Sequence, residues 1–188
     1  KAAPATEKKR ASCTRPGKET AEAAAPAAEK KAAAIIVSQE VELSKQSETT
    51  LIRVEDTRYA LAFVSAAWFD HPAKKLTTIG ITGTKGKTTT TYLVKSILEN
   101  AGRKVGLVGT IEIIIGDTSI AAKNTTPESY LLQEYFAKMV ESGCDTVVME
   151  VSSQALMLHR TQGFVFDFGI FTNLEPDHIG PNEHGSFE

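Results

Sequence analysis

The sequence predicts an α/β fold, a parallel sheet with helices on both faces, and three observations carry that prediction. From Leu76 onward, short apolar runs alternate with longer segments of helical periodicity. A glycine-rich loop joins the first of these runs to the first of these helices. The runs are apolar at successive positions, as strands covered on both faces are.

The elements follow in order. Residues 1–34 contain no Val, Ile, Leu, Phe, Met, Trp or Tyr and carry Pro4, Pro16 and Pro26, so they read as a solvated arm that cannot build a core. Ala34-Ile35-Ile36-Val37 and Leu51-Ile52-Arg53-Val54 read as strands. Between Asp56 and Asp70 the apolar residues Leu61, Val64 and Trp68 recur at helical spacing, and His71-Pro72 ends the pattern. These elements are assigned to a small α/β segment, 35–73, ahead of the main unit, 74–188. There the expected order is a strand over Leu76–Thr82, a helix from Thr88 to Ala101 stopped by Gly102, and a strand over Val105–Val108. A hairpin over Ile111–Ala122 turns at Gly116-Asp117. Thr126 then caps a helix with Pro127 in its first turn, ended by Gly143. Two buried-type strands, Thr146–Val151 and Asp167–Thr172, complete the alternation.

Composition narrows the function classes. The chain has 188 residues, 41% hydrophobic, with net charge -2, enough for a real core and without the basic excess of a nucleic-acid binder. No run approaches the roughly 20 apolar residues of a membrane span, and no secretory signal is visible. Cys13 and Cys144 fit neither a disulfide framework nor a zinc spacing, so a reducing, cytoplasmic location is expected; a monomer is expected as well.

The chemistry begins at Gly80-Ile81-Thr82-Gly83-Thr84-Lys85-Gly86-Lys87-Thr88, where a strand enters a glycine-rich turn and then a helix N-terminus. Backbone N–H groups and the helix dipole favour phosphate there, Lys87 reaches the β/γ-phosphates, and Thr88 can hold Mg²⁺. The longer phosphate-loop pattern requires Gly where Ile81 stands, so the match is to a shorter Gly-x-x-Gly-Lys-Thr form. Glu150 ends the run Val147-Val148-Met149-Glu150, a carboxylate at the sheet edge where ligands of open α/β folds bind and a candidate Mg²⁺ ligand. Asn173-Leu174-Glu175-Pro176-Asp177-His178 brings an imidazole and a carboxylate to the same edge. Right-handed crossovers are expected to bring Thr88, Glu150 and His178 together there. Lys123-Asn124-Thr125-Thr126-Pro127-Glu128 offers an anion contact, or helix capping alone.

Four ordered blocks resemble the Mur ligase family, most closely its members that add the third residue of the peptidoglycan stem peptide. The blocks are Gly80 to Thr91, Asn124 to Glu128, Met149 to Leu156 and Thr172 to His178, and the resemblance runs from about Ala32 to Glu188. It implies a phosphate-loop central domain, incomplete here, preceded by a remnant of a uridine-nucleotide-binding domain. The implied activity is an ATP- and Mg²⁺-dependent ligase that joins UDP-N-acetylmuramoyl-L-Ala-D-Glu to diaminopimelate or L-Lys through an acyl phosphate. By position, Gly83, Thr84, Lys85, Gly86, Lys87, Thr88 and Thr89 would bind ATP, and Thr88, Glu150 and His178 would surround magnesium. Lys87, Glu150 and His178 would carry the catalysis. Asn124, Thr125, Thr126, Ser152 and Arg160 would hold the muramoyl substrate. Lys85 stands where many members carry Asn. The family's carbamylated lysine and its amine-selecting domain are expected beyond Glu188, so this chain is expected to be inactive by itself. A folylpolyglutamate synthetase, a nucleotide-binding module without turnover and a small phosphate-loop kinase stay open as alternatives.

Overall fold

The computed structural model describes residues 27–41 and 48–176. Cys13, Asp177, His178 and most of the expected arm lie outside the described residues. Contacts divide the chain into two units, Lys1–Thr57 and Arg58–Glu188. In the first, β1 (Ala34–Val37) and β2 (Thr50–Arg53) pair in parallel, with Ala34 opposite Thr50 and Val37 opposite Arg53. Their β-branched residues suit a pleated pair.

The second unit takes in helix α1 (Thr57–Trp68) from Arg58 on, so contacts draw the boundary at Thr57, ahead of the helix, whereas the sequence assigns α1 to the segment ending at residue 73. The face it buries also differs from the expected one. Ala62, Ser65 and Ala66 are buried, whereas Val64 and Trp68 are about half exposed (50% and 49%). Small side chains win because the helix backbone comes very close to Gly163, where an added Cβ would lie 2.7 Å from the Ala62 carbonyl oxygen.

After a 3₁₀ turn (Pro72–Lys75) come β3 (Thr77–Thr82), α2 (Lys87–Asn100), β4 (Val105–Val108), β5 (Glu112–Ile115) and β6 (Thr118–Ala121). Then follow α3 (Ser129–Glu141), β7 (Thr146–Glu150), α4 (Ser153–Met157) and β8 (Phe168–Phe171). The six strands from β3 onward form one sheet in the order β6-β5-β4-β7-β3-β8. β4, β7, β3 and β8 are mutually parallel, as expected. The hairpin β5–β6 adds to the β4 edge antiparallel, which makes the sheet mixed, because the tight turn at Gly116-Asp117 can only reverse the chain.

Helices cover both faces. On one, Leu132, Phe136 and Met139 of α3 pack on Val108, Ile113, Val147 and Met149. On the other, Val94 and Leu98 of α2 pack on Ile79, Ile81, Val105 and Val148. Each fully buried side chain of this size contributes roughly 1.5–3 kcal/mol. Among the described residues β8 departs from the buried strand the sequence predicts: it pairs there with β3 alone, and Phe168 and Phe171 are exposed (59% and 63%). An apolar run reads the same at a sheet edge as at its centre. Among the described residues no helix is long and apolar enough to cross a membrane.

Candidate functional site

Because β3, β4, β7 and β8 are parallel, the segments after their C-terminal ends meet at one sheet edge. The phosphate loop leaves β3 there. Gly83 is at φ 136, and a Cβ at this position would collide with Thr172 Oγ1, so only glycine fits. Gly86 caps α2 at φ 82 with no side-chain cap. Lys87 opens the helix, and its Nζ donates to the carbonyls of Gly83 (2.7 Å) and Thr84 (3.1 Å), arching back over the loop. Thr89, in the same first turn, is exposed.

Glu150 follows from strand alternation. Val147 and Met149 face α3, so Val148 and Glu150 face α2. Its carboxylate is 1% exposed and fully engaged: Thr88 Oγ1 donates to Oε2 at 2.9 Å, Thr110 N to Oε1 at 2.9 Å and Thr110 Oγ1 to Oε2 at 3.1 Å. The structure thus brings Thr88 and Glu150 into direct contact, while His178 lies outside the described residues. No cluster of three His, Cys, Asp or Glu side chains suited to a metal occurs among the described residues. Thr110, which follows β4, carries no signal in the sequence. Only the β4–β7 neighbourhood places it against Glu150.

Beside this pair opens a cavity of about 360 Å³ whose lining includes Lys87, Asn124, Thr125, Thr126, Ser152 and Arg160. All five residues expected to hold the muramoyl substrate therefore share one pocket with the loop lysine. Thr110 and Lys123 also line it, and Thr110 Oγ1 lies 3.1 Å from Thr125 Oγ1. The lining holds three cations, Lys87, Lys123 and Arg160, and no carboxylate.

Thr126 does not cap α3 as the sequence suggests. Glu128 occupies the cap position, while the Thr126 hydroxyl donates to Glu150 O (2.9 Å) and accepts from Ser152 N (3.1 Å), tying the substrate loop to the end of β7. Ser152 instead caps α4, accepting from Ala155 N. Arg160 is aimed by its neighbours. Its Nη1 donates to Thr126 O at 3.2 Å and its Nη2 pairs with Glu128 at 2.7 Å, and Arg58 of α1 holds the other oxygen of Glu128 at 3.3 Å. The Arg58–Glu128 pair spans 70 positions, which no local pattern reveals.

Lys85 points away from the phosphate cradle to an exposed ion pair with Glu175 (2.5 Å). One turn along α2 from Thr88, Tyr92 donates to Glu112 Oε1 at 2.7 Å. Burial, that bond and the charges of Glu112 and Glu150 push the Tyr92 hydroxyl up to about 12. Ser119 and Tyr92 hold the Glu112 carboxyl below its ordinary range.

Comparison with known proteins adds to this geometry. Residues 81–188 match the family model of the Mur ligase middle domain. The chain is 50% identical over 159 residues to the UDP-N-acetylmuramoyl-L-alanyl-D-glutamate--2,6-diaminopimelate ligase of Clostridium perfringens, covering 85% of this chain and 32% of that protein. It is 49% identical over 150 residues to the protein of the same name from Caldanaerobacter subterraneus, covering 80% and 31%. The chain thus spans about a third of the length of these curated relatives. A solved structure of a ligase of that name superposes with a TM-score of 0.63 at 21% identity, covering 78% of this chain and 29% of the other, and shares the fold.

Proposed function

The chain belongs to the Mur ligase family, and from that membership we propose that it serves an ATP-dependent amide ligation in peptidoglycan precursor synthesis, with UDP-N-acetylmuramoyl-L-Ala-D-Glu as acceptor and 2,6-diaminopimelate as amine. The observation that carries this reading is the all-cationic pocket of Lys87, Lys123 and Arg160 directly beside a phosphate loop. Both partners in the first step are anions, a nucleotide triphosphate and a carboxylate attached to a nucleotide sugar. A pocket lined with carboxylates would repel them.

In this reading, Gly83 to Thr89 receive the ATP phosphates on the N–H groups at the start of α2, and Lys87 leaves the Gly83 and Thr84 carbonyls for the transferred phosphoryl group. Asn124, Thr125, Thr126 and Ser152 seat the muramoyl substrate, and Arg160 presents its guanidinium to the anionic end. The D-Glu carboxylate attacks the γ-phosphorus and ADP departs, leaving an acyl phosphate. The amine then attacks the acyl carbon, inorganic phosphate leaves, and the amine surrenders a proton. The Thr88 hydroxyl and the Glu150 carboxylate, both hard oxygen donors, fit Mg²⁺ and would hold it, with His178 as a third candidate. Bound there, the ion would supply neutralisation of phosphate charge.

The test, run on this chain and on a version extended past Glu188, is ADP release and amide formation with the UDP-muramoyl dipeptide and either diaminopimelate or L-Lys, with hydroxylamine added to trap the acyl phosphate. Hydroxamate formation supports the reading, and phosphorylation of a stable acceptor without hydroxamate indicates a kinase. Binding of ATP and dipeptide without ADP release by the extended version identifies a nucleotide-binding module. Failure to bind either ligand refutes the proposal.

A further inference from the structure

The tip of the phosphate loop is held from outside the strand and helix that it joins. Lys85 and Gly86 are exposed, and Lys87 of α2 reaches the loop only at the carbonyls of Gly83 and Thr84, before the tip. The segment after β8 reaches it instead. Asn173 Oδ1 accepts from Lys85 N at 2.9 Å, Asn173 Nδ2 donates to Lys85 O at 3.1 Å, and Asn173 O accepts from Thr84 N at 3.0 Å. Thr172 Oγ1 lies within bonding distance of Lys85 O (2.8 Å) and Thr82 O (3.2 Å). Thr84 Oγ1 meets both the carbonyl (3.1 Å) and the N–H (2.9 Å) of Glu175, and Lys85 Nζ pairs with the Glu175 carboxylate. One carboxamide thus treats Lys85 as a sheet partner would, taking both its donor and its acceptor.

Two consequences follow from these bonds. A loop with glycine at Gly83 and Gly86 has wide conformational freedom, and ordering it on binding costs entropy. Contacts already made by Thr172, Asn173 and Glu175 remove much of that cost beforehand. The N–H groups of Thr84 and Lys85 are also engaged, which directs phosphate to the N–H groups at the start of α2, left without intrahelical partners.

We propose that Asn173 is a positioning residue for nucleotide binding, its carboxamide holding the phosphate loop in receptive form through Lys85 while reserving the first turn of α2 for phosphate. This rests on the nucleotide reading above and adds a residue to it that touches no phosphate. The experiment titrates the isotope-labelled chain with ADP and Mg²⁺, following affinity by calorimetry and individual amides by NMR and hydrogen exchange. In the wild type, the Lys87 and Thr88 amides should shift on ADP addition, while those of Thr84 and Lys85 stay protected. Asn173→Ala should weaken ADP binding about tenfold or more and speed exchange at Thr84 and Lys85 by a similar factor, with global unfolding unchanged. Should that variant fail to fold, Thr172→Val, nearly isosteric, should weaken ADP binding about threefold through the loss of its hydroxyl alone. ADP affinity within about twofold of wild type in a folded Asn173→Ala, or in Thr172→Val where the former does not fold, overturns the proposal and leaves the nucleotide reading standing. A wild type that binds no ADP overturns both.

Discussion

The ends of β7 and β8 lie at the same sheet edge and are built in opposite ways. β7 has a strand on each side and a helix over each face, so its last side chain, Glu150, has one available geometry and is held by three hydrogen bonds away from water. Among the described residues β8 is an edge strand with exposed phenylalanines, and the segment after it meets the phosphate loop through polar contacts at the surface. A central strand positions a functional group by burial. An edge strand does so by hydrogen bonding, which leaves its segment accessible to solvent competition.

Substitutions at the two ends should therefore differ in size. Glu150→Ala deletes three hydrogen bonds to the carboxylate, each contributing roughly 1 kcal/mol net, so denaturant unfolding should show a loss of about 3 kcal/mol. A loss under about 1 kcal/mol would place the carboxylate in water and erase the contrast. Lys87→Ala should weaken ATP binding by roughly thirtyfold, because a charge-assisted contact to phosphate is worth about 2 kcal/mol. Lys85→Ala should cost far less, since its partner is the exposed Glu175. Equal losses in calorimetry would show that the loop register is wrong.

Acid should act on the start of β8. The Thr78 N–H, at 2.8 Å, and the Thr78 hydroxyl hold the Asp167 carboxyl below its usual 3.8. A carboxyl depressed in the folded state contributes stability that is present above its unfolded value and lost as pH falls through the folded one. Stability should therefore fall below about pH 4, and Asp167→Asn should flatten that part of the curve. An unchanged acid limb in the variant would assign the slope to other carboxyls. The smallest effect is expected at Phe171→Ser, which should alter stability by no more than about 0.5 kcal/mol because the side chain is mostly exposed. A larger loss would mean that the edge is covered in solution.

What was legible in the sequence tracks how local the cause is. The phosphate loop, the Gly116-Asp117 hairpin and the glycine-terminated helices depend on a few adjacent residues, and all appear where expected. The place of Glu150 at the sheet edge is also readable, because it closes a buried run, whereas its burial is not, since a strand-end glutamate can equally face water. The misreadings concern choices made by distant chain. Thr126 has the chemistry of a cap, but β7 offers its hydroxyl two partners that a helix end cannot match. The large residues of α1 mark an inward face by hydropathy, yet close approach to Gly163 selects Ala62 and Ala66. Thr110 and Arg58 become site residues only through strand order and an ion pair across the fold.

The outward turn of α1 also fixes how the protein can be watched. Trp68 is the sole tryptophan of the sequence and is half exposed. Its fluorescence should emit toward the red even in the native state and shift little on denaturation. It is therefore a poor gauge of core melting but a sensitive one of anything that settles against this helix, where quenching or a blue shift would report contact without a label.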